Sequence, residues 1–192
     1  MTPLGRALVA LKRVLDDLGA PWFVFGAQAV VVRGHPRMTA DVDVTVQVDD
    51  TQIPELVRRL EAADFELRVD DVADFVRTTR VVPASHRPTA LPVDLVLAGT
   101  PLESLFLTGA TNEDVGGVSV PVISAEHLVV TKILAGRPKD LDDVRSILGA
   151  TGSAFDVATA RDLLAQLDAA LDRSDLVRAL ETVLAGLSGS GE

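Results

Sequence analysis

No cysteine occurs anywhere in the chain, which excludes a disulfide framework, thiolate metal sites and cysteine nucleophiles. Aromatic residues make up only 4% of the sequence, so Val, Leu and Ala must fill the core. No apolar run approaches the roughly 18 residues that cross a membrane, and no membrane partner is expected. The N-terminal stretch MTPLGRALVALKRVLDDLG carries charges at helical spacing and lacks a signal peptide's unbroken apolar segment. A cytoplasmic protein is the simplest reading. Cations are also scarce: 18 Lys and Arg against 28 Asp and Glu leave a net charge of −10. Bulk attraction to nucleic acid or to an anionic membrane needs clustered Lys and Arg and is not expected. Local use of a nucleotide remains open, because metals bound to carboxylates supply the positive charge that a triphosphate requires.

What is present is an ordinary globular composition. At 192 residues and 47% apolar, the chain is long enough for one core with a small helical extension. Residues 3–19 form an amphipathic stripe of Leu4, Leu8, Leu11, Val14 and Leu15, which predicts a helix. WFVFG at 22–26 predicts a buried strand, and 27–33 a short helix ended by Gly34 and blocked by Pro36. Residues 40–47 alternate, with Val42, Val44 and Val46 on one face and Asp41, Asp43 and Thr45 on the other. Residues 51–63 predict a helix. Residues 74–82 and 91–97 are expected as paired strands around the turn-rich PASHRPTA. A short helix over 101–108 and a strand over 117–123 complete a core expected to span 1–122. From Ser124, a good N-cap, the pattern turns helical: 124–134, 139–148, 156–169 and 174–187. The fold class expected is α+β, a mixed sheet flanked by helices with a C-terminal helical part. That part is expected to span 123–188 and pack on the core, with 189–192 a flexible tail.

Carboxylates carry the chemistry. Asp41 and Asp43 lie two apart in a predicted strand, so both leave one face. Like charges so placed repel unless compensated. A divalent cation compensates them, and oxygen-only ligands suit Mg2+ or Mn2+. The plainer alternative is the solvated face of an edge strand. Gly26 ends a buried strand and opens a helix, where backbone N–H groups can meet phosphate; a tight turn would explain it equally. Asp94 interrupts the apolar run LPVDLVLAG and needs a partner, either a shared metal or an arginine such as Arg77 or Arg80. The three histidines, His35, His86 and His127, are too dispersed in sequence to read as a zinc set.

The order strand, Gly26-Ala27, helix, Gly34, Arg37, Thr39, Asp41-Val42-Asp43, then a later strand with Asp94, resembles the polymerase-beta-type nucleotidyltransferase fold. Within that superfamily the chain most resembles the AbiEii/AbiGii kind of toxin nucleotidyltransferase. A second segment, ISAEHLVVTKILAGRPKDLDDVRSIL, is similar to those proteins in its lysine near a helix end and its Arg-Pro-x-Asp-x-x-Asp turn. The resemblance implies that Asp41 and Asp43 bind the metals holding the triphosphate. It implies that Asp94 ligates a second metal and helps deprotonate an acceptor hydroxyl. Gly26, Ala27 and Arg37 fall at the nucleotide; Lys132 and Arg137 would neutralise phosphate, with Asp140 and Asp143 in support. For Arg37 the plainer alternative is a salt bridge. For Lys132 and Arg137 it is a solvated helix end favoured by the helix dipole. One departure is Ala27, where the superfamily often has serine or glycine: alanine keeps the backbone N–H but offers no hydroxyl.

The resemblance implies transfer of a nucleoside monophosphate from a nucleoside triphosphate to RNA (a tRNA) or protein, in a toxin–antitoxin or phage-defence setting with a cognate antitoxin. Two rivals stand beside it. One is an antibiotic nucleotidyltransferase acting on an aminoglycoside or lincosamide, which an acidic surface would suit. The other is a non-catalytic module that keeps the fold and binds a nucleotide or a protein.

Overall fold

Residues 1–35, 39 and 41–188 are described by a computed structural model. Arg37 and the tail 189–192, both singled out above, lie outside the described residues. Among the described residues, α1 (Pro3–Leu18) is followed by β1 (Trp22–Phe25), α2 (Gly26–Arg33), β2 (Val42–Val46), α3 (Ile53–Ala62), β3 (Phe65–Leu67), α4 (Val72–Thr79), β4 (Val81–His86) and β5 (Leu91–Leu97). Then come α5 (Pro101–Gly109), β6 (Thr111–Val115), β7 (Val118–Val122), α6 (Ala125–Ala135), α7 (Pro138–Thr151), α8 (Val157–Ala170) and α9 (Leu176–Ser188). No helix among the described residues is long and apolar enough to cross a membrane.

The chain divides into two compact units. The first comprises Met1–Val32 and Met38–Ile123. Its strands form one mixed sheet in the order β3-β4-β5-β2-β1-β7-β6. The central pair β2 and β5 runs parallel, as do β1 and β7; the other neighbours are antiparallel. Central strands bury alternate residues completely: Val24, Val44, Val46, Leu95 and Val122 have no exposed surface. α1 starts on the Thr2 cap, whose hydroxyl accepts from the Gly5 N–H, and buries Leu8, Leu11 and Leu15. It packs against α3, β5 and β7. This is the α+β architecture with a mixed sheet that the patterning predicts.

Three expectations are corrected. Residues 74–82 are not one strand: Val72–Thr79 form α4, and β4 begins at Val81. The Asp71 carboxylate caps α4 by accepting from the Asp74 N–H, and Val72, Phe75 and Val76 recur at helical spacing on its less exposed side. β2 begins at Val42, so Asp41 precedes the strand rather than lying within it, and Thr45, expected on the polar face, is buried. Two strands escape the pattern, β3 and β6. β6 (TNEDV) is an exposed edge strand with almost no apolar alternation to mark it.

The second unit comprises Arg33–Arg37 and Ser124–Glu192. α6 packs against α7, α8 and α9, and α9 also contacts α7 and α8. Ser124 caps α6 through its hydroxyl, and Asp156 caps α8 in the same way through its carboxylate. The backbone N–H of His35 donates to the hydroxyl of Ser146 on α7 at 2.8 Å.

Candidate active site

Register across the sheet sets the site of the first unit. Phe25 on β1 is opposite Asp43 on β2. Asp43 is opposite Asp94 on β5, and Asp94 is opposite Pro83 on β4. Neighbouring strands are about 4.8 Å apart, so this row brings two half-buried carboxylates, Asp43 and Asp94, together from distant parts of the sequence. Gly26 follows Phe25 directly, with φ of 61°. A Cβ built on Gly26 would lie 2.0 Å from Oδ2 of Asp43. Glycine is required there twice over: for the left-handed backbone and for the space that the Asp43 carboxylate occupies. Ala27 is the second residue of α2. The opening turn of a helix presents free N–H groups, which favour anions.

Asp41 is exposed and accepts from the Thr39 hydroxyl at 2.7 Å. Its backbone carbonyl accepts from the amide of the buried Gln28 on α2 at 3.2 Å. Asp94 meets an arginine, but neither of those expected. Its Oδ1 accepts from Nη2 of Arg68, which follows β3. Arg77 pairs with Asp74 and Arg80 with Asp50. Sequence gives Arg68 no mark of its own: only the β3–β4–β5 register carries it to Asp94.

An all-oxygen donor set suits a hard divalent cation. Asp43 and Asp94 in register, and the space that only glycine leaves beside Asp43, fit such an ion with a phosphate alongside. Among the described residues, however, no group of three or more His, Asp or Glu side chains is arranged to hold a metal. Asp43 and Asp94 are brought together; Asp41 is not gathered with them into one three-carboxylate cluster.

The second unit holds the other predicted residues. Lys132 is buried, and its Nζ donates to Asp143 at 2.8 Å and to Asp140 at 3.4 Å. A solvated helix end is therefore overturned for Lys132. Arg137, with its side chain 60% exposed, donates to the fully buried Asp140 through Nε at 2.5 Å and Nη2 at 3.1 Å. Burial works against the charged form of Asp140. The Arg137 hydrogen bonds and the charges of Lys132 and Arg137 outweigh it and hold this carboxyl below the ordinary aspartate range. Gly136 ends α6 in the left-handed conformation, and Pro138 stands in the first turn of α7. The RP turn thus delivers Arg137, Asp140 and Asp143 next to the Lys132 ammonium.

The family model for the AbiEii nucleotidyl transferase toxin of type IV toxin–antitoxin systems matches residues 9–186. The chain belongs to the AbiEii family. That span contains both the carboxylate row and the Lys132 network, and nucleotidyl transfer is the activity at the family level. No curated protein matches the chain. Solved structures share the AbiEii chain's fold at low identity. The antibiotic-resistance factor ANT(2'')-Ia superposes with a TM-score of 0.57 at 15% identity, over 86% of this chain and 92% of that one. An antigenic nucleotidyltransferase-like protein from Paracoccidioides brasiliensis gives 0.53 at 22% identity, over 92% and 91%. The lincosamide antibiotic adenylyltransferase LnuA gives 0.52 at 13% identity, over 75% and 96%.

Proposed function

We propose that this AbiEii protein transfers a nucleoside monophosphate from a nucleoside triphosphate to an acceptor hydroxyl on RNA or protein, releasing pyrophosphate. The observation that carries the reading is the register pairing of Asp43 with Asp94 beside a glycine that no other residue can replace without meeting the Asp43 carboxylate. Asp43 and Asp94, with Asp41 joining them, would hold Mg2+ or Mn2+. When bound, the divalent cations supply Lewis-acid and charge-neutralising chemistry at the phosphates. The N–H groups of Gly26 and Ala27 receive phosphate oxygens. Asp94 orients the acceptor hydroxyl and takes its proton on Oδ2, since Oδ1 accepts from Arg68.

Arg137 is the residue proposed to neutralise phosphate charge. Asp140 grips one edge of its guanidinium and leaves Nη1 outside that grip. Lys132 spends two of its three donors on Asp140 and Asp143, so its part is chiefly to hold the network in place. Arg37 is proposed as a further phosphate contact. A cognate antitoxin and a cytoplasmic setting, where triphosphates are available, complete the proposal.

A second reading is nucleotidylation of a cationic antibiotic. It draws support from the fold shared with two antibiotic-modifying proteins and from the net charge of −10. The test is incubation with each labelled triphosphate, Mg2+ and, separately, total RNA, a cell lysate or aminoglycoside and lincosamide drugs. Labelled RNA or protein that disappears with Asp43→Asn supports the proposal. Label on a drug alone replaces it with the second reading. Triphosphate binding without transfer to any acceptor favours a binding module.

A further inference from the structure

Two ionised carboxylates on adjacent parallel strands repel each other in the absence of a cation. The first unit contains a cation of its own at this position. Arg68 is fixed to the sheet by its backbone, which donates to Pro83 O at 2.9 Å and so extends the β3–β4 ladder. Its Nε donates to Ala84 O at 3.2 Å, and its Nη2 to Asp94 Oδ1. The side chain thus crosses β4 and continues the row that runs through Pro83, Asp94 and Asp43.

We propose that Arg68 is the resident counter-charge of the Asp43–Asp94 pair: it keeps both carboxylates in register without metal and fixes the rotation of Asp94. The inference rests on reading Asp43 and Asp94 as metal ligands, and it adds a positioning residue outside the family's predicted set. Three anchors per arginine make the placement firm, because the fork is held by two backbone carbonyls' worth of sheet before it reaches Asp94. An exposed ion pair standing alone contributes little. This one differs, because its carboxylate has a second carboxylate as its strand neighbour. One oxygen of Asp94 is then committed to Arg68 and the other is left for the site. A cation that binds there shares Asp94 with Arg68 and takes over part of its work.

The experiment is a thermal-unfolding cycle on the full chain in EDTA and in MgCl2. It uses wild type, Arg68→Gln, Arg68→Lys, Asp94→Asn and the Arg68→Gln/Asp94→Asn double variant. Arg68→Gln should lower Tm in EDTA by several degrees, and Arg68→Lys by less. Magnesium should raise the Tm of Arg68→Gln more than that of wild type. In the Asp94→Asn background the same Arg68→Gln change should cost much less, because the repulsion is already gone. An equal loss in both backgrounds would overturn the proposal and leave Arg68 as a simple staple to Ala84. If Arg68→Gln alone fails to fold, the double variant should fold; failure of both also overturns it. Magnesium that shifts no variant, with the Arg68–Asp94 coupling intact in EDTA, would sink the metal-ligand reading and leave the counter-charge standing.

Discussion

Gly26 and Asp43 exclude each other's side chains: a Cβ on Gly26 would lie 2.0 Å from Asp43 Oδ2 and 2.8 Å from its Cγ. The glycine also holds a φ of 61°. Gly26→Ala should therefore cost about 1–2 kcal/mol from the left-handed backbone alone. It should further displace the Asp43 carboxylate and abolish triphosphate-dependent stabilisation. Chemical denaturation with and without MgCl2 and a triphosphate measures both effects. A variant of wild-type stability that keeps the ligand shift would contradict the geometry.

Removing the paired aspartates separates binding from folding. Asp41 is exposed and Asp43 half-buried, so Asp41→Ala with Asp43→Ala should leave unliganded stability within about 0.5 kcal/mol, the range usual for surface changes. Magnesium with a triphosphate should raise the Tm of the wild type, since a ligand that binds only the folded state stabilises it. The double variant should show no rise. An unchanged shift would remove both aspartates from the site.

The Lys132 network should behave as a buried ion pair. Lys132→Met leaves Asp140 and Asp143 without the ammonium that both accept from, a loss of about 3–5 kcal/mol for one partner of a buried pair. Lys132→Met combined with Asp143→Asn should cost less than Lys132→Met alone. Urea unfolding of the three variants decides this. Strictly additive losses would mean that the contacts carry no coupling.

Acid should weaken the fold before it reaches the carboxylates. Burial holds the imidazoles of His86 and His127 below their ordinary value of 6.5. The unfolded chain then binds protons more readily than the folded one. The stability so gained is complete above pH 6.5 and is lost as pH falls below it toward the lowered folded values. Tm should drop between pH 7.5 and 5.0, and His86→Gln with His127→Gln should flatten that slope whatever its effect on Tm itself. An identical slope in the double variant would assign the acid sensitivity elsewhere.

Much of the fold is legible in the sequence because strong signals agree locally. The α1 stripe, the Val42-Val44-Val46 alternation, the Ser124 cap and the Gly136-Pro138 punctuation each identify an element that the structure contains. Residues 74–82 mislead because Phe75, Val76, Thr78 and Thr79 favour a strand by composition. The capping aspartate and the helical spacing favour a helix, and they win. That one substitution of helix for strand also explains the wrong partner for Asp94. On a strand, Arg77 and Arg80 would lie across from it; on and after α4 they pair with Asp74 and Asp50 instead. Arg68 was illegible for the complementary reason. It depends on the pairing of β3 with β4, and β3 is too short to announce itself.

The parallel pairing of β2 with β5 has a consequence in time. Between these strands the chain must lay down α3, β3, α4 and β4 before Asp94 can meet Asp43. Such a non-local contact forms only after a large loop has closed. A chain growing from its N-terminus exposes Asp41, Asp43 and Gly26 well before β5 exists, and until then those residues have no partner carboxylate. Synthesis thus withholds the assembled pair from every nascent chain that has not yet made β5.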